Sequence, residues 1–422
     1  MLTALSKLFG KSRQDRGQAT PDGADMIQSI LDTNSDALAV HDAAQNDTLP
    51  SVILKPIIRP GPLEAGWFGG QPMLPPDEAW PEIEGVPLNF LAQIDLARLP
   101  ADIWSGLGPR DGHLVFFNHP DRCAPKVLHV SGDLVPRSAD VPVPQHRWND
   151  GADTHGFPHY NRFPVTAIAH KGQLPQPPIS QVKWEDREML DLTKPAHRPF
   201  DTASLGFLIE KMSQTIDLRL AQCGNQLKGN LKDEAKAAVR YIQDEATKTQ
   251  VAFAAAVDAV EKQSFDANRA ARFIDDISNL PLPGLTITRS ADSKDADIEP
   301  KAMTLVDPEN TDYAGRYLGD LDTHLFQCFV QDRDALPPLH RDRTERKCEA
   351  MAEKEFGGMS HAPHGFIYTP HGSGSPNEVL LELPSSNLTG WMWGDVYALV
   401  VLINRKALKR GKFDKVIGDI TN

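Results

Sequence analysis

The feature that most constrains this chain is an ordered echo between two distant segments. Phe68-Gly69-Gly70 is followed by Pro75, and Phe356-Gly357-Gly358 by Pro363, at the same spacing. Each is followed by an apolar strand, Phe90-Leu91-Ala92-Gln93-Ile94 in the first and Val379-Leu380-Leu381-Glu382-Leu383 in the second. Leu114-Val115-Phe116-Phe117-Asn118 then answers Val400-Val401-Leu402-Ile403-Asn404, and each set closes on a Lys-Val pair, Lys126-Val127 and Lys415-Val416. A lone F-G-G carries no signal. Ordered landmarks in nearly constant register read as two related supersecondary units that bury their apolar faces against each other. In each, the Gly pair permits a positive-φ turn or a close backbone approach before a buried strand.

Between the echoes the text changes to helical periodicity. Leu205, Leu208, Ile209, Met212, Ile216, Leu220 and Cys223 recur at three- and four-residue spacing. Asp201 or Thr202 can cap that helix by accepting from an orphan backbone N–H. Gly224 and Gly229 bracket a turn, and a second stripe runs from Leu231 through Ala235, Val239, Ile242, Ala246, Phe253 and Val257 to Val260. Asp244/Lys248 and Asp258/Lys262 are spaced for helical ion pairs with the acid first. A third helix covers Asn268 to Asn279 and ends before Leu280-Pro281. The predicted fold class is α+β: two related antiparallel β-rich halves, an internal duplication, with a long helical hairpin insertion. The boundaries are 1–50 for an N-terminal segment, 51–187 for the first half, 188–280 for the insertion and 281–422 for the second half. Residues 131–200 are rich in Pro and His and read as loops with short strands such as Val165 to Ala169.

The chain has 422 residues, enough to bury a core without disulfides or metal staples. Its net charge of −13 argues against non-specific nucleic-acid binding, which needs clustered Lys and Arg. Cys123, Cys223, Cys328 and Cys348 are scattered, with no C-x-x-C pair, and fit a reducing compartment. No apolar run is long enough to span a bilayer. Met1 to Arg13 lacks the h-region of a signal peptide, so the chain is expected to be cytoplasmic, with a frayed start or a weak interfacial helix there.

The run GWFGGQPMLPPDEAWPEIEGVPLNFLAQIDLARLP, residues 66 to 100, resembles the YwqG-like family of bacterial proteins of unknown function. The Gly-Gly-x-Pro-x-Leu-Pro turn, the Trp80-Pro81 pair and the strand from Phe90 to Leu96 carry the resemblance. Met392-Trp393-Gly394-Asp395 and the later GKFDKV extend it. It covers residues 50–175 and 303–422. The chain departs from the pattern in the helical segment 188–280 and at Val396-Tyr397-Ala398, where relatives tend to show more Gly. The resemblance implies an α+β fold with antiparallel sheets and brings no reaction or catalytic residues. Toxin and immunity-type gene neighbourhoods of relatives imply a protein-binding role.

Residues that could carry chemistry are few. His361, His364 and His371 lie on loop-like text and could converge on zinc, with Asp320 as an added acid, in a metal-dependent hydrolase. The bland alternative is loop histidines bonded to backbone or water. His155 and His159 are four apart, but Gly156 and Pro158 argue against a helix presenting them. Asp320 and Asp322 would share one face of a strand beside His324, though a turn with solvated acids is the more ordinary reading. Gln93 and Asp95 end a buried strand and could face a cleft between the halves, against a turn-capping role for Asp95. Trp393 and Asp395 adjoin Trp391, as a ligand surface if exposed and as core if buried. No P-loop, G-x-S-x-G or G-x-G-x-x-G occurs in a strand-to-helix setting, and no cysteine reads as a nucleophile paired with a neighbouring histidine. The leading expectation is therefore a regulatory or immunity-like binding protein that uses no cofactor. It would recognise a protein partner through Gly69, Gly70, Gln93, Asp95, Trp393 and Asp395, and self-associate through the helical insertion. The metal-dependent hydrolase is the alternative.

Overall fold

Near-unbroken apolar runs in the two echoed segments become central strands of one sheet, because such runs need cover on both faces. The computed structural model describes residues 50–140, 159–172, 174, 190–289, 296–306, 316–360, 377–394 and 397–421. The main strands are β1 (Pro50–Pro56), β2 (Gly66–Phe68), β3 (Asn89–Asp95), β4 (His113–Asn118), β5 (Pro125–Val130), β6 (Phe163–Lys171), β7 (Gly357–Ser360), β8 (Asn377–Pro384), β9 (Ala398–Asn404) and β10 (Val416–Thr421). They form a ten-stranded sheet in the order β10-β9-β8-β7-β1-β6-β2-β3-β4-β5. Every pairing is antiparallel.

The sheet curls until its edges nearly meet, so that it is almost a closed barrel. At the seam between β5 and β10, a Cβ placed on Gly418 would lie 2.4 Å from Pro125 Cδ and 2.8 Å from Cys123 Sγ. The ring of His129 of β5 lies tilted against that of Phe413, just before β10, with centroids 5.9 Å apart. No backbone ladder joins the two edges among the described residues, and side chains zip them instead. Pro125 at this edge has no N–H to leave unpaired.

Strands β2 to β5 form one meander and β7 to β10 another, with β1 and β6 between them. In the first, a bulge leaves Leu91 unpaired between the pairs Phe90↔Phe117 and Ala92↔Phe116. In the second, a bulge leaves Leu380 unpaired between Val379↔Leu402 and Leu381↔Val401. Leu91, Ala92, Ile94, Leu114 and Phe116 share the interior core with Leu380, Leu381, Leu383, Leu399 and Val401. Full burial of such side chains contributes about 1.5–3 kcal/mol each. Phe90, Val115 and Phe117 face the other way, onto Leu74 and Leu88.

This register corrects the pairing drawn from sequence. Measured from the bulges, Phe116 corresponds to Val401 rather than Leu402. A one-residue slip would turn every side chain to the wrong face. The F-G-G echo also falls out of register. Phe68 sits in β2, whereas Phe356 precedes β7 and Met359 takes the core-facing place. Gly69 and Gly70 have positive φ, at 60° and 70°. Gly357 instead gives room, since a Cβ there would lie 2.9 Å from the Phe68 ring.

The described residues hold six helices: α1 (Thr202–Lys228), α2 (Asp233–Glu261), α3 (Ala267–Ser278), α4 (Arg316–Gln331), α5 (Pro338–Ala352) and α6 (Arg405–Lys409). Asp201 caps α1 in a reciprocal box with Ser204. Gly224 lies inside α1, so the turn begins only at Gly229. Leu208, Met212 and Ile216 of α1 pack with Phe253 of α2, Phe273 of α3 and Leu321 of α4 in one core.

Helices α4 and α5 occupy a stretch that sequence assigned to the second β-rich half. The reason for the miss is chemical. For α5 the buried face is mostly polar, with His340, Arg343, Thr344 and Glu345 beside only Cys348 and Ala352, so its apolar periodicity is weak. Glu345 pairs with Arg333 and Arg59, and Arg343 with Asp322 at 2.8 Å. Arg333 also donates to the Ile58 carbonyl at 2.6 Å, which fastens the helical layer to the chain after β1. No helix among the described residues is long and apolar enough to cross a membrane. Met1 to Arg13 lies outside the described residues.

Candidate functional site

At the seam of the barrel lies a cavity of about 230 Å³ whose walls come from both meanders. Asn89, Leu91 and the loop from Asn118 to Cys123 supply one side, and Met392, Trp393, Gly394 and Ile420 the other, with Tyr160 between them. The loop is built by Asn118. Its Nδ2 donates to the carbonyls of His119 and Arg122, at 3.0 and 3.3 Å, and its Oδ1 accepts from Ala124 N–H at 3.0 Å. His119 Nδ1 accepts from Asp121 N–H at 3.1 Å, which fixes the imidazole. Arg122, which also lines the cavity, pairs with Glu84 at 2.6 Å.

The glycine pair after β2 places Tyr160. Gly70 N–H donates to the Tyr160 carbonyl at 2.8 Å, and a Cβ on Gly69 would lie 2.2 Å from the Asn161 carbonyl oxygen. Only a glycine with positive φ lets the two segments touch this closely. Tyr160 packs edge-on against Trp391 at 5.7 Å, and Trp391 lies 6.1 Å from Trp393. Trp393 is held by its own N–H to Ser385 Oγ at 2.8 Å. It is 7 % exposed, and its Nε1–H is buried with no acceptor among the described residues. A buried donor left unpaired costs about 1–3 kcal/mol.

His119 and Cys123 line the same cavity, but they are not an activated pair. Burial, with Asp419 second, pushes the Cys123 thiol up to about 12. A thiol that stays protonated is a poor nucleophile. A second cysteine does have a helical histidine neighbour, contrary to the sequence reading. Cys328 Sγ lies 3.7 Å from His324 Nε2 on α4. Burial raises that thiol and lowers that imidazole, so the pair is neutral. His324 stacks on Phe207 at 4.4 Å, as part of the helical packing. The four-residue spacing was the signal, hidden because the segment was not read as helix.

Of the six proposed binding residues, Trp393 lines the cavity, while Gly69 and Gly70 lie against the backbone of Tyr160 and Asn161. Gln93 faces the opposite side of the sheet, where its Oε1 accepts from Met73 N–H at 2.8 Å. Asp95 caps the turn that follows β3, accepting from Ala97 N–H at 2.9 Å. Asp395 lies outside the described residues, as do His155, His361, His364 and His371. Asp320 and Asp322 stand on helix α4 rather than a strand or turn, and Asp322 pairs with Arg343 and Lys347. Among the described residues no group of His, Cys, Asp and Glu is arranged to hold a metal ion. Sequence reasoning missed Asn118, His119 and Tyr160, because a loop lining shows no periodicity.

A family model for a domain of unknown function, DUF1963, matches residues 67–135 and 190–420. The chain belongs to the DUF1963 family. The DUF1963 match runs through the helical segment as well as both meanders, and it takes in the cavity walls at Asn89, Asn118 and Trp393. No curated protein matches the sequence significantly.

Proposed function

We propose that this DUF1963 protein is a binding protein whose partner, another protein, inserts a single side chain into the seam cavity. One observation carries the reading: a cavity of about 230 Å³ lies where the two meanders meet and is walled by Trp393 and Tyr160. That is below the roughly 300–1,000 Å³ of ordinary small-molecule sites and suits one anchoring residue. Buried aromatic pockets of this kind concentrate binding energy at protein interfaces. The protonated Cys123 thiol gives the cavity no nucleophile. The likeness of residues 66 to 100 to the YwqG-like family, with its immunity-type neighbourhoods, supports the same direction.

The test is photo-crosslinking from position 392 in the native host, with the crosslinked peptides identified by mass spectrometry. The companion variant Ile420→Trp fills the cavity. Crosslinks to one defined partner peptide that vanish in Ile420→Trp support the reading. Crosslinks that persist unchanged in the filled variant refute it.

We also read the body as an internal duplication, supported by the bulges at Leu91 and Leu380 and by the shared strand order of the two meanders. A sequence profile built on one meander across the family should detect the other; failure to do so would reject the duplication.

A further inference from the structure

Six of the chain's 44 Lys and Arg residues fall within positions 405–415, beside a single acid, Asp414. The chain as a whole has a net charge of −13, so this cluster stands against the field of the rest. The stretch is helix α6 and the turn that leads into β10. Arg405 is held by Glu378, and Lys415 lies 3.7 Å from Asp414. Lys406, Lys409, Arg410 and Lys412 are exposed and have no acidic partner among the described residues. The backbone beneath them is fixed. Leu408 and Phe413 anchor the stretch in the interior core, and a Cβ on Gly108 would lie 2.9 Å from Leu408 Cδ1. The N–H groups of Arg410 and Lys412 both donate to the Ala407 carbonyl at 3.0 Å, and Gly411, with φ of 63°, donates to the Leu408 carbonyl at 3.0 Å. In the neighbouring loop, Asp95 pairs with Arg98, and the charge of Asp102 acts on Arg110.

Four like charges on a pinned turn repel one another, and an anion laid over them relieves that repulsion. The surroundings decide what kind of anion fits. A membrane-surface element offers apolar side chains to the bilayer, but Leu408 and Phe413 are buried, and of the large apolar residues here only Ile417 is exposed. Single-stranded nucleic acid gains from stacking on exposed aromatic rings, and 405–415 has none. A long polyanion would also run past the turn onto an acidic body. A short run of carboxylates ends where the cluster ends.

We propose that the basic turn at 405–415 is a docking surface for a short acidic segment, a run of Asp and Glu on a protein partner, held by Lys406, Lys409, Arg410 and Lys412. It is separate from the seam cavity. The turn enters β10 at Val416, whereas the cavity is lined by Ile420 towards the other end of that strand, roughly 15 Å away along it. The assignment does not depend on what the cavity binds.

The probes are fluorescein-labelled octaglutamate, octaglutamine and an oligothymidylate of the same length, titrated against the full chain at low salt by fluorescence anisotropy, and phosphatidylserine vesicles tested by co-sedimentation. Octaglutamate should bind saturably, more weakly as salt is raised, and octaglutamine should not bind. The combined variant Lys406→Gln, Lys409→Gln, Arg410→Gln and Lys412→Gln should weaken octaglutamate about tenfold. A control carrying Lys228→Gln, Lys248→Gln, Lys262→Gln and Lys301→Gln loses the same charge elsewhere and should bind as the unaltered protein does. Ile420→Trp, which fills the seam cavity, should also leave octaglutamate binding unchanged. No octaglutamate binding, equal weakening by the two fourfold variants, or loss of binding in Ile420→Trp overturns the assignment. Tighter binding of the oligothymidylate or the vesicles than of octaglutamate overturns the choice of an acidic protein segment.

Discussion

Leu91 and Leu380 hold the same place in two different hairpins. Each is the extra residue of a β-bulge in the central hairpin of its meander, and each is fully buried in the interior core. The bulge sets the register of every later strand in its meander. It therefore decides which alternate residues of β4 and β9 face inward.

Leu91→Ala and Leu380→Ala should each destabilise the protein by about 2–5 kcal/mol through lost burial and the cavity left behind. Deleting either leucine should do more, because the rest of the strand then presents its outer face to the core. Urea denaturation followed by tryptophan fluorescence measures both. A deletion less damaging than the alanine variant would contradict this role for the bulge.

Gly418 sets the closeness of the seam. Gly418→Ala brings a Cβ within 2.4 Å of Pro125 Cδ, so the edges must part, at about 1–3 kcal/mol. The same change should expose Cys123. In the unaltered protein, with its thiol near 12, Cys123 should alkylate at pH 8 on the order of 10³-fold more slowly than an ordinary cysteine. Iodoacetamide labelling mapped by mass spectrometry should show that rate rising in Gly418→Ala.

Glu345 lies under two guanidinium groups. Glu345→Ala should cost about 1–3 kcal/mol, since it removes the buried carboxylate that Arg333 and Arg59 share where the helical layer meets the chain after β1. A thermal melt compared with that of exposed Asp334→Ala, whose effect should be small, separates the buried pair from a surface one.

Asp322 gives a pH signature. Burial works against its carboxylate, but Lys347 and Arg343 outweigh it and hold the pKa below the ordinary aspartate value. A depressed acid contributes stability above its unfolded pKa of about 3.9 and loses it as pH falls through the lower folded value. Asp322→Asn should therefore be less stable by about 2 kcal/mol at pH 7. The gap should close as the pH is taken below about 4. A gap constant between pH 7 and pH 3 would show that the ion pairs do not carry the effect.

The central strands β3, β4, β5, β8 and β9 were legible because apolar runs are local, and so were α1 to α3, whose buried faces are apolar stripes, whereas β2, β7 and β10 are short or Gly-containing and gave no such run. The strand registers were not legible. The echo aligned Asn118 with Asn404, yet the bulges match Asn118 to Ile403, and nothing local marks a bulge. Helix α5 escaped notice because its buried face is mostly polar and its ion-pair partners, Arg59, Asp322 and Arg333, lie elsewhere in the chain. Trp393 was singled out by residue type, while Gln93 and Asp95 turned out to serve Met73 and a turn.

The sequence by itself determined the two sets of apolar strands, the helical segment between them and the positive-φ turn at Gly69 and Gly70, because alternation, periodicity and glycine act within a few residues. Only the tertiary structure decided that the sheet would curl until Gly418 met Pro125, and that Asn89, His119, Tyr160 and Trp393 would line one cavity. That meeting depends on sheet curvature and strand register, which are set by packing across the whole body rather than by any short run of residues.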